Sequence, residues 1–193
     1  MHEINDLKNR KKLVIEEPLL MGDTIYLEGL SKKHVSEQYA GWLNDKDVCR
    51  ENSHGNVHNT IEMTRDYVAS VNKAANIAVF AIISKKENRH VGNISLGRIS
   101  WINNSGEISI LIGGKDYWGK GIGTEAYRLV ISYGFNILGL HRLYSGMTVR
   151  NKGMIKVAEK VGMVKEGLSK EAFSKEGVFI DVVNLAILNS KKL

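Results

Sequence analysis

The sequence predicts a single domain of the α/β (α+β) class, because strand-like and helix-like segments are interspersed along its 193 residues. Ala78–Ser84 is an almost continuous apolar run, which is typical of a central strand covered on both faces. Glu107–Ile112 alternates between apolar and polar residues, as a half-buried strand does. Farther along, apolar residues recur at spacings of three and four, which indicates an amphipathic helix. These residues are Ile122, Ala126, Leu129, Val130, Tyr133 and Ile137.

In chain order, the same rules predict about seven strands and about four helices. The predicted strands are Thr24–Leu30, Ala78–Ser84, Val91–Ile99, Glu107–Ile112, Leu143–Val149, Met163–Phe173 and Val178–Leu188. The predicted helices are His34–Leu43, Thr60–Val71, the amphipathic helix that begins at Ile122, and Lys152–Lys160. Thr60 is a capping residue type at a helix start, and Gly162 is a stop signal.

Two further segments complete the organisation of the chain. Asn44–Asn59 is polar and contains glycine, which predicts a loop long enough to have a function. Residues 1–21 are interpreted as a charged N-terminal extension, because Lys8, Arg10, Lys11 and Lys12 lie close together there. Residues 22–193 then form the folded domain.

The composition excludes several classes of protein. A hydrophobic content of 43% and a charged content of 25% are ordinary for a globular chain. No apolar run is long enough to span a bilayer, and the N-terminus lacks the apolar core of a signal peptide, so we expect a cytoplasmic protein without a membrane partner. The single cysteine, Cys49, rules out an internal disulfide framework and a multi-cysteine metal cluster.

The formal net charge of +6 predicts an anionic partner. The basic residues are scattered, and no arginine-rich stripe with interleaved aromatic residues is present, so binding to nucleic acid is not expected. Phosphate groups on a small molecule are the simpler explanation of the charge.

The turn Gly119-Lys120-Gly121-Ile122-Gly123 lies between a predicted strand and the strongest predicted helix. Glycines allow several backbone N–H groups to point at one anion, and a helix N-terminus adds unpaired donors and a positive dipole end. Thr124 can add a hydroxyl group, whereas Glu125 would repel phosphate and is expected to point away. A P-loop is excluded because Gly121 is followed by Ile122, and the position after several strands excludes a dinucleotide fingerprint. A turn that serves only as a helix start stays open as an alternative.

The order and spacing of several blocks resemble the GNAT acetyltransferase superfamily, and specifically its Rim-type branch of ribosomal-protein N-acetyltransferases. The matching blocks are Gly106–Ile110, Tyr117–Ala126, Leu138–Leu143, Asn151, Glu159–Met163 and Glu166-Gly167. The resemblance covers about residues 22–188 and implies that acetyl-coenzyme A is the cofactor. In the Arg/Gln-x-x-Gly-x-Gly/Ala motif of this superfamily, Gly121 and Gly123 match, and Trp118 replaces the first residue.

The resemblance also implies a twisted, mixed and mostly antiparallel sheet that splays in the middle, between the strands Glu107–Ile112 and Leu143–Val149. The pantetheine arm of the cofactor would lie in that gap, and the amine would enter from the opposite side, between residues 34–72 and the last hairpin. The implied cofactor-binding residues are Ile110, Leu111, Ile112, Trp118, Gly119, Lys120, Gly121, Ile122, Gly123, Thr124 and Asn151.

Direct acetyl transfer requires removal of a proton from the amine, and Glu107 is the candidate base, acting through water. The alternative for Glu107 is a solvated carboxylate beside a turn.

For Asn151, a helix N-cap is the alternative to a pantetheine contact. The superfamily's usual proton donors, a Tyr or a Ser, are replaced here by Ala158 and Met154. Tyr144, Ser145 or water then remain as sources of that proton.

The resulting hypothesis is an N-acetyltransferase that acts on a primary amine of a small molecule, such as an amino sugar. Gly41–Val48 is similar to a segment found in small-molecule and amino-sugar members of the branch. A protein N-terminus is the alternative acceptor, and an acyl-CoA-binding module without turnover is the alternative function.

His54 and His58 have helix-like spacing but lie in a loop without a third ligand, so no metal site is expected. The chain is expected to be a monomer or a homodimer.

Overall fold

The structure, a computed structural model, describes residues 18–190, which form one eight-stranded sheet flanked by four α-helices. The strands are β1 (Pro18–Met21), β2 (Ile25–Gly29), β3 (Ala78–Ser84), β4 (Arg89–Ser100), β5 (Ser105–Ile112), β6 (Arg142–Thr148), β7 (Val164–Lys175) and β8 (Val178–Leu188). The helices are α1 (Glu37–Trp42), α2 (Ile61–Val71), α3 (Ile122–Ser132) and α4 (Lys152–Lys160). No helix within residues 18–190 is both long enough and apolar enough to cross a bilayer.

The strand order is β1-β2-β3-β4-β5-β6-β8-β7, and every neighbouring pair is antiparallel except β5 and β6. The mixed, mostly antiparallel sheet expected from the sequence is therefore confirmed, with eight strands rather than about seven. The additional strand is β1, whose four residues the sequence analysis placed in the N-terminal extension. Residues 1–17 and 191–193 lie outside the described part, so the extension itself stays a prediction.

Strand β3 lies between β2 and β4, and all seven of its residues are buried. Phe80 and Ile82 belong to the core on the α3 and α4 face of the sheet. Val79, Ala81 and Ile83 belong to a second core on the α1 and α2 face. The continuous apolar run of this strand is thus explained by burial on both faces, as predicted.

Strands β5 and β6 run parallel and pair only at their first residues, where Ser105, Gly106 and Glu107 face Arg142, Leu143 and Tyr144. Beyond Glu107 the two strands have no further ladder pairs, although each continues. This is the gap in the middle of the sheet that the resemblance implied. The edge of β5 that faces the gap is left with backbone groups that no strand pairs.

Helix α3 does not end as the hydrophobic pattern predicts. A π-helical turn, Tyr133–Ile137, follows it, and the N–H of Leu138 donates to the carbonyl of Tyr133 at 3.1 Å. A π turn inserts one extra residue, which rotates the following side chains around the axis. Tyr133 therefore stays in the core, whereas Ile137 is 67% exposed, and its placement on the apolar face was wrong.

Gly113, which follows β5, is packed directly against Trp42 of α1. A Cβ atom at this position would lie 1.9 Å from Cδ2 of the buried indole, whose neighbours Tyr39 and His90 restrict its movement. We expect Gly113→Ala to lower the free energy of unfolding by about 2 kcal/mol through overpacking, measured by urea denaturation. Gly41→Ala is the control, because its Cβ meets nothing within 4 Å. Alanine there favours helix α1, so an equal loss of stability in both variants would contradict the packing argument.

Substitution of Tyr133 is expected to increase the stability of the protein, in contrast to Gly113→Ala. Its ring packs edge-on against Phe80 with centroids 5.2 Å apart, and its hydroxyl is buried without a hydrogen-bond partner within residues 18–190. An unsatisfied buried hydroxyl destabilises the folded state, so Tyr133→Phe is expected to raise the free energy of unfolding by about 1 kcal/mol. Tyr127→Phe is the matched control, since the Tyr127 hydroxyl bonds to Ser145 Oγ at 3.2 Å. Its removal should lower stability, and a gain in both variants would rule out this explanation.

Candidate active site

The glycine turn that connects β5 to α3 has the backbone conformation that only glycine adopts readily. Gly119 has a φ of 74° and Gly121 a φ of 86°, both in the left-handed region. A Cβ atom at either residue would meet nothing within 4 Å. The glycines are thus required by the path of the backbone, and the space beside them is open to a ligand.

The N-terminus of α3 presents unpaired donors to this space. Gly121 is the N-cap residue and has no side chain to cap the helix, and the first intrahelical bond is made by Glu125 N to Gly121 O at 3.0 Å. Within residues 18–190, the N–H groups of Ile122, Gly123 and Thr124 have no hydrogen-bond acceptor. With the positive end of the helix dipole, they form an anion-binding cradle.

Glu125 points away from the cradle, as expected from its charge. Its carboxylate accepts hydrogen bonds from the hydroxyl of Thr24 and, at 2.9 Å, from the Thr24 backbone N–H, just before β2. Burial on its own raises the pKa of Glu125, but the hydrogen bonds from Thr24 outweigh it and leave the pKa below its ordinary value. The negative charge is therefore stabilised by β2 and does not oppose an anion at the turn.

Trp118 links the turn to the end of β5. Its indole N–H donates to the Ile112 carbonyl at 2.8 Å, and 43% of the residue stays exposed. Because this N–H is used within the protein, Trp118 can contact a ligand through its ring or its backbone only. The bond places the turn next to the unpaired edge of β5, where Ile110 and Leu111 lie.

Asn151 caps α4, since its side-chain oxygen accepts from Met154 N at 3.2 Å. Its amide nitrogen stays available for a ligand, so a cap and a ligand contact are compatible at this residue. On the same helix, Ala158 is fully buried and Met154 packs against the core. Neither residue carries a proton donor, which leaves that role unassigned on α4.

Ser145 lies on β6 where the two strands begin to separate. Its hydroxyl donates to the Ile108 carbonyl at 2.8 Å and also contacts the hydroxyl of Tyr127. Burial raises the pKa of Tyr127 to about 12, so this phenol stays protonated. The Ser145 proton is thus used to bridge β5 and β6 at the base of the gap. Tyr144, the other candidate, is half-buried, and its ring lies 5.8 Å from the Arg142 guanidinium.

Glu107 lies on the sheet face that also carries Ser109 and Leu111. Its carboxylate forms an ion pair with Arg98 at 3.2 Å, and the side chain is 23% exposed. Arg98 has a φ of 46° and lies in an irregular stretch of the β4–β5 pairing, between Gly97 and Ser100. A bulge of this kind redirects side chains, and here it brings the guanidinium beside the carboxylate.

A cleft of about 450 Å³ opens on the same face, between β3–β5, α2 and the loop after α1. Hydroxyl, amide, imidazole and aromatic groups line it together with aliphatic side chains. The polar and aromatic lining residues are Tyr39, Asn52, Ser53, His54, Asn59, Thr64, Tyr67, Asn93, Ser95 and Ser109. The aliphatic residues and methionine are Leu43, Met63, Val79, Ile94, Ile110 and Leu111. Among the described residues, no carboxylate, lysine or arginine contributes to the lining.

The loop Asn44–Asn59 forms one wall of this cleft and is held at both ends. Asn44 and Asn59 exchange hydrogen bonds of 2.8 Å. The ammonium group of Lys175, at the tip of the β7–β8 hairpin, donates to the carbonyls of Asn52 and His54 at 3.1 and 2.9 Å. The loop therefore lies against the last hairpin, and the resemblance implies that the amine enters between these two parts.

A further ion pair connects this loop to the glycine turn. Lys115, three residues before Trp118, lies 2.7 Å from a carboxylate oxygen of Asp45 and 3.4 Å from one of Asp47. The loop that forms one wall of the cleft is thus linked to the segment that precedes the glycine turn.

Sequence reasoning missed the polar residues that β4 and β5 contribute to the cleft. Asn93 pairs with Leu111 and Ser95 with Ser109, so these side chains share one face. In the sequence, the signal for these residues was the alternation of Asn93 and Ser95 with Ile94 and Leu96 inside a predicted strand.

Of the two histidines in the loop Asn44–Asn59, His54 lines the cleft, whereas His58 does not. No three metal-ligating side chains come together within residues 18–190.

Comparison with known proteins agrees with this geometry. The family model for the acetyltransferase (GNAT) domain matches residues 24–164. The chain is 32% identical over 181 residues to the protein named Probable N-acetyltransferase YjcK of Bacillus subtilis, covering 89% of this chain and 97% of that protein. It is 31% identical over 112 residues to spermidine N(1)-acetyltransferase of Vibrio cholerae, covering 58% of this chain and 64% of that protein.

A solved structure gives the same result at the level of the fold. The GNAT-family acetyltransferase of Bacillus anthracis superposes with a TM-score of 0.76 and 27% identity, covering 88% of this chain and 97% of that one. The anion cradle at the start of α3, the splayed sheet and the family match agree with one another. The chain therefore belongs to the GNAT family and is an N-acetyltransferase that uses acetyl-coenzyme A.

Proposed function

We propose that this enzyme transfers the acetyl group to a primary amine of a small molecule, such as an amino sugar, bound in the cleft between β3–β5, α2 and the loop Asn44–Asn59. The observation that carries the proposal is the composition of that cleft, which offers hydroxyl, amide and aromatic groups and no carboxylate within the described residues. The cleft lies on the α1 and α2 face of β5, and the edge of the same strand borders the gap in the sheet.

The cofactor-binding part of the proposal is supported by groups of matching chemistry. The unpaired N–H groups from Ile122 to Thr124, with the open backbone at Gly119 and Gly121, suit the pyrophosphate of coenzyme A. The edge of β5 at Ile110–Ile112 has no neighbouring strand and suits the amide groups of the pantetheine arm, as an added strand would, although Trp118 already donates to the Ile112 carbonyl. Lys120 adds an exposed positive charge beside the turn, and Thr124 adds a hydroxyl. The bound thioester supplies an activated acetyl group.

Glu107 has the role of proton acceptor in this proposal. It lies on the cleft side of β5, two residues from Ser109, which lines the cleft. A carboxylate at this position can accept the proton of an ammonium group through a water molecule. The ion pair with Arg98 orients the carboxylate and restricts its side-chain freedom.

The acceptor is expected to carry one amino group on an oxygen-rich body. Each additional ammonium group of a polyamine needs a carboxylate or a cation–π contact. The cleft lining provides no carboxylate, and because Tyr39 is buried, only the ring of Tyr67 is exposed for a cation–π contact. An amino sugar instead presents hydroxyl oxygens to amide and hydroxyl donors, and a ring face to Tyr67, which is partly exposed. Burial raises the pKa of Tyr67, so its hydroxyl stays protonated and can donate.

The test is release of free thiol from acetyl-CoA with a panel of amines: glucosamine, galactosamine, spermidine, kanamycin and short peptides with varied N-termini. The proposal expects the amino sugars to give a kcat/KM at least about tenfold above that of spermidine, equivalent to about 1.4 kcal/mol. Acetylation of the peptides alone would show that the acceptor is a protein N-terminus. Binding of acetyl-CoA without thiol release for any amine would contradict turnover altogether.

A further inference from the structure

His90, at the start of β4, is enclosed by aromatic rings. Its imidazole contacts those of His34, Tyr39 and Trp42, with ring centroids 5.2, 5.7 and 5.0 Å apart, and each contact is tilted towards edge-to-face geometry. Because three rings surround it, the imidazole has little freedom to rotate. None of the roles assigned above involves this histidine.

The closest polar contact of the ring joins His90 Nε2 to the side-chain oxygen of Asn93 at 3.0 Å, and a weaker contact with the Gly92 backbone also acts on the ring. A carbonyl oxygen only accepts, so the proton of this bond comes from His90. Burial lowers the pKa of His90 to about 4, while the bond to Asn93 acts in the opposite direction. The lowered pKa makes the imidazole neutral near pH 7, and we assign its single proton to Nε2 from the contact with the Asn93 oxygen.

This bond fixes the orientation of the Asn93 amide, with its oxygen on His90. Asn93 lines the cleft and is 8% exposed. With its oxygen directed to His90, the amide nitrogen, which has two protons, is left for a ligand. No protein acceptor within residues 18–190 contacts that nitrogen. The nitrogen is also partly accessible to solvent. Among those residues, the Tyr133 hydroxyl is the only side-chain polar atom that is both fully buried and without a hydrogen bond, so an unpaired Asn93 nitrogen cannot be fully buried.

We propose that Asn93 is a specificity-determining residue that donates hydrogen bonds to an oxygen atom of the acceptor, and that His90 is the positioning residue that keeps its amide in this orientation. The inference rests on the proposed function of the cleft. It adds a directed donor, which favours a hydroxyl or carbonyl oxygen and disfavours an ammonium group. Ser95 and Ser109 lie on the same sheet face and supply hydroxyl groups beside it.

Asn93→Asp tests the donor, because it preserves the shape of the side chain and replaces the amide donors with acceptors. We expect the KM for glucosamine to rise about tenfold, which corresponds to the loss of one hydrogen bond of about 1.4 kcal/mol. The KM for spermidine should fall, since the new carboxylate can bind a second ammonium group. The KM for acetyl-CoA should stay unchanged, which also shows that the variant is folded. Asn136→Asp is the matched control, since Asn136 is exposed and bonds only to Ser132.

His90 is tested by two substitutions. His90→Phe removes the donor while keeping an aromatic ring, and it should raise the KM for glucosamine as Asn93→Asp does, with kcat little changed. His90→Gln retains an N–H donor and should recover part of the lost affinity. A rise in KM that His90→Gln does not recover, or a fall in kcat alone, would indicate packing rather than positioning and would overturn the role of His90.

Nuclear magnetic resonance of the ring nitrogens in the free protein tests the geometry without any turnover. We expect a neutral His90 protonated on Nε2 at neutral pH. A charged ring or the Nδ1-protonated form would overturn the inference even if the enzyme acetylates amino sugars. Conversely, if the wild-type protein acetylates no amine of the panel, the proposed function fails while the resonance result still decides the orientation of Asn93. The inference about Asn93 and His90 would also be overturned if active Asn93→Asp and His90→Phe variants kept the KM for glucosamine unchanged.

Discussion

Glu107→Gln is expected to lower kcat about 100-fold, at the lower end of the range for loss of a general base. The carboxylate lies on the cleft side of β5 and is paired with Arg98, so glutamine can replace its shape but cannot accept a proton. The KM for acetyl-CoA should hardly change, because the predicted cofactor contacts, on the glycine turn, the edge of β5 and Asn151, do not include Glu107. Steady-state kinetics with the best amine of the panel measures both values.

The control for this substitution is Glu37→Gln, which removes the same charge from the exposed first turn of α1. It should leave kcat unchanged. If Glu107→Gln also retains full turnover across the pH range, the carboxylate is only a solvated partner of Arg98, and water alone accepts the proton. A large rise in the KM for acetyl-CoA would instead indicate that the substitution disturbs β5.

Gly121→Ala is expected to raise the KM for acetyl-CoA about 50-fold, a loss of about 2.3 kcal/mol of binding free energy. Alanine is disfavoured at the left-handed φ of 86°, and its Cβ would project into the open space where the pyrophosphate is proposed to lie. The amine KM should be little affected. Kinetics at saturating amine, and direct titration of coenzyme A by calorimetry, measure the effect.

Gly177→Ala separates backbone strain from ligand contact. Gly177 lies in the β7–β8 turn with a φ of 78°, and a Cβ there also meets nothing within 4 Å. Both variants should therefore lose similar stability, about 1 kcal/mol, from the left-handed conformation. Only Gly121→Ala should lose affinity for coenzyme A. If the two variants bind it equally well, the glycine turn is a helix start and nothing more.

The secondary structure was predicted best where local signals and burial agree. Ala78–Ser84 and Lys152–Lys160 have the bounds that the sequence predicts. Strand β1 was missed because a strand of four residues has too few positions to show a period, and its pairing with β2 defines it. Ile137 was misplaced because the helical period assumes 3.6 residues per turn, which the π turn interrupts.

The glycine turn and the cleft also differ in how far the sequence predicts them. The cradle is formed by consecutive residues, and its glycines and helix start are visible in the sequence. The cleft combines side chains from α1, α2, β3, β4, β5 and a loop, which no spacing rule connects. The ion pair between Arg98 and Glu107 likewise depends on an irregular β4–β5 pairing that the sequence pattern does not indicate.

By itself, the sequence determined that this chain has an α/β domain with a glycine turn at the start of a helix and, through its resemblance, an acetyltransferase fold. These features depend on neighbouring residues, because backbone conformation and helix ends are set within a few positions. Only the tertiary structure decided what lines the cleft that we propose for the acceptor, and that the Asn93 amide directs its oxygen to His90. Contacts such as that of Lys175 with His54, 121 residues apart, form only when the sheet has brought distant segments together.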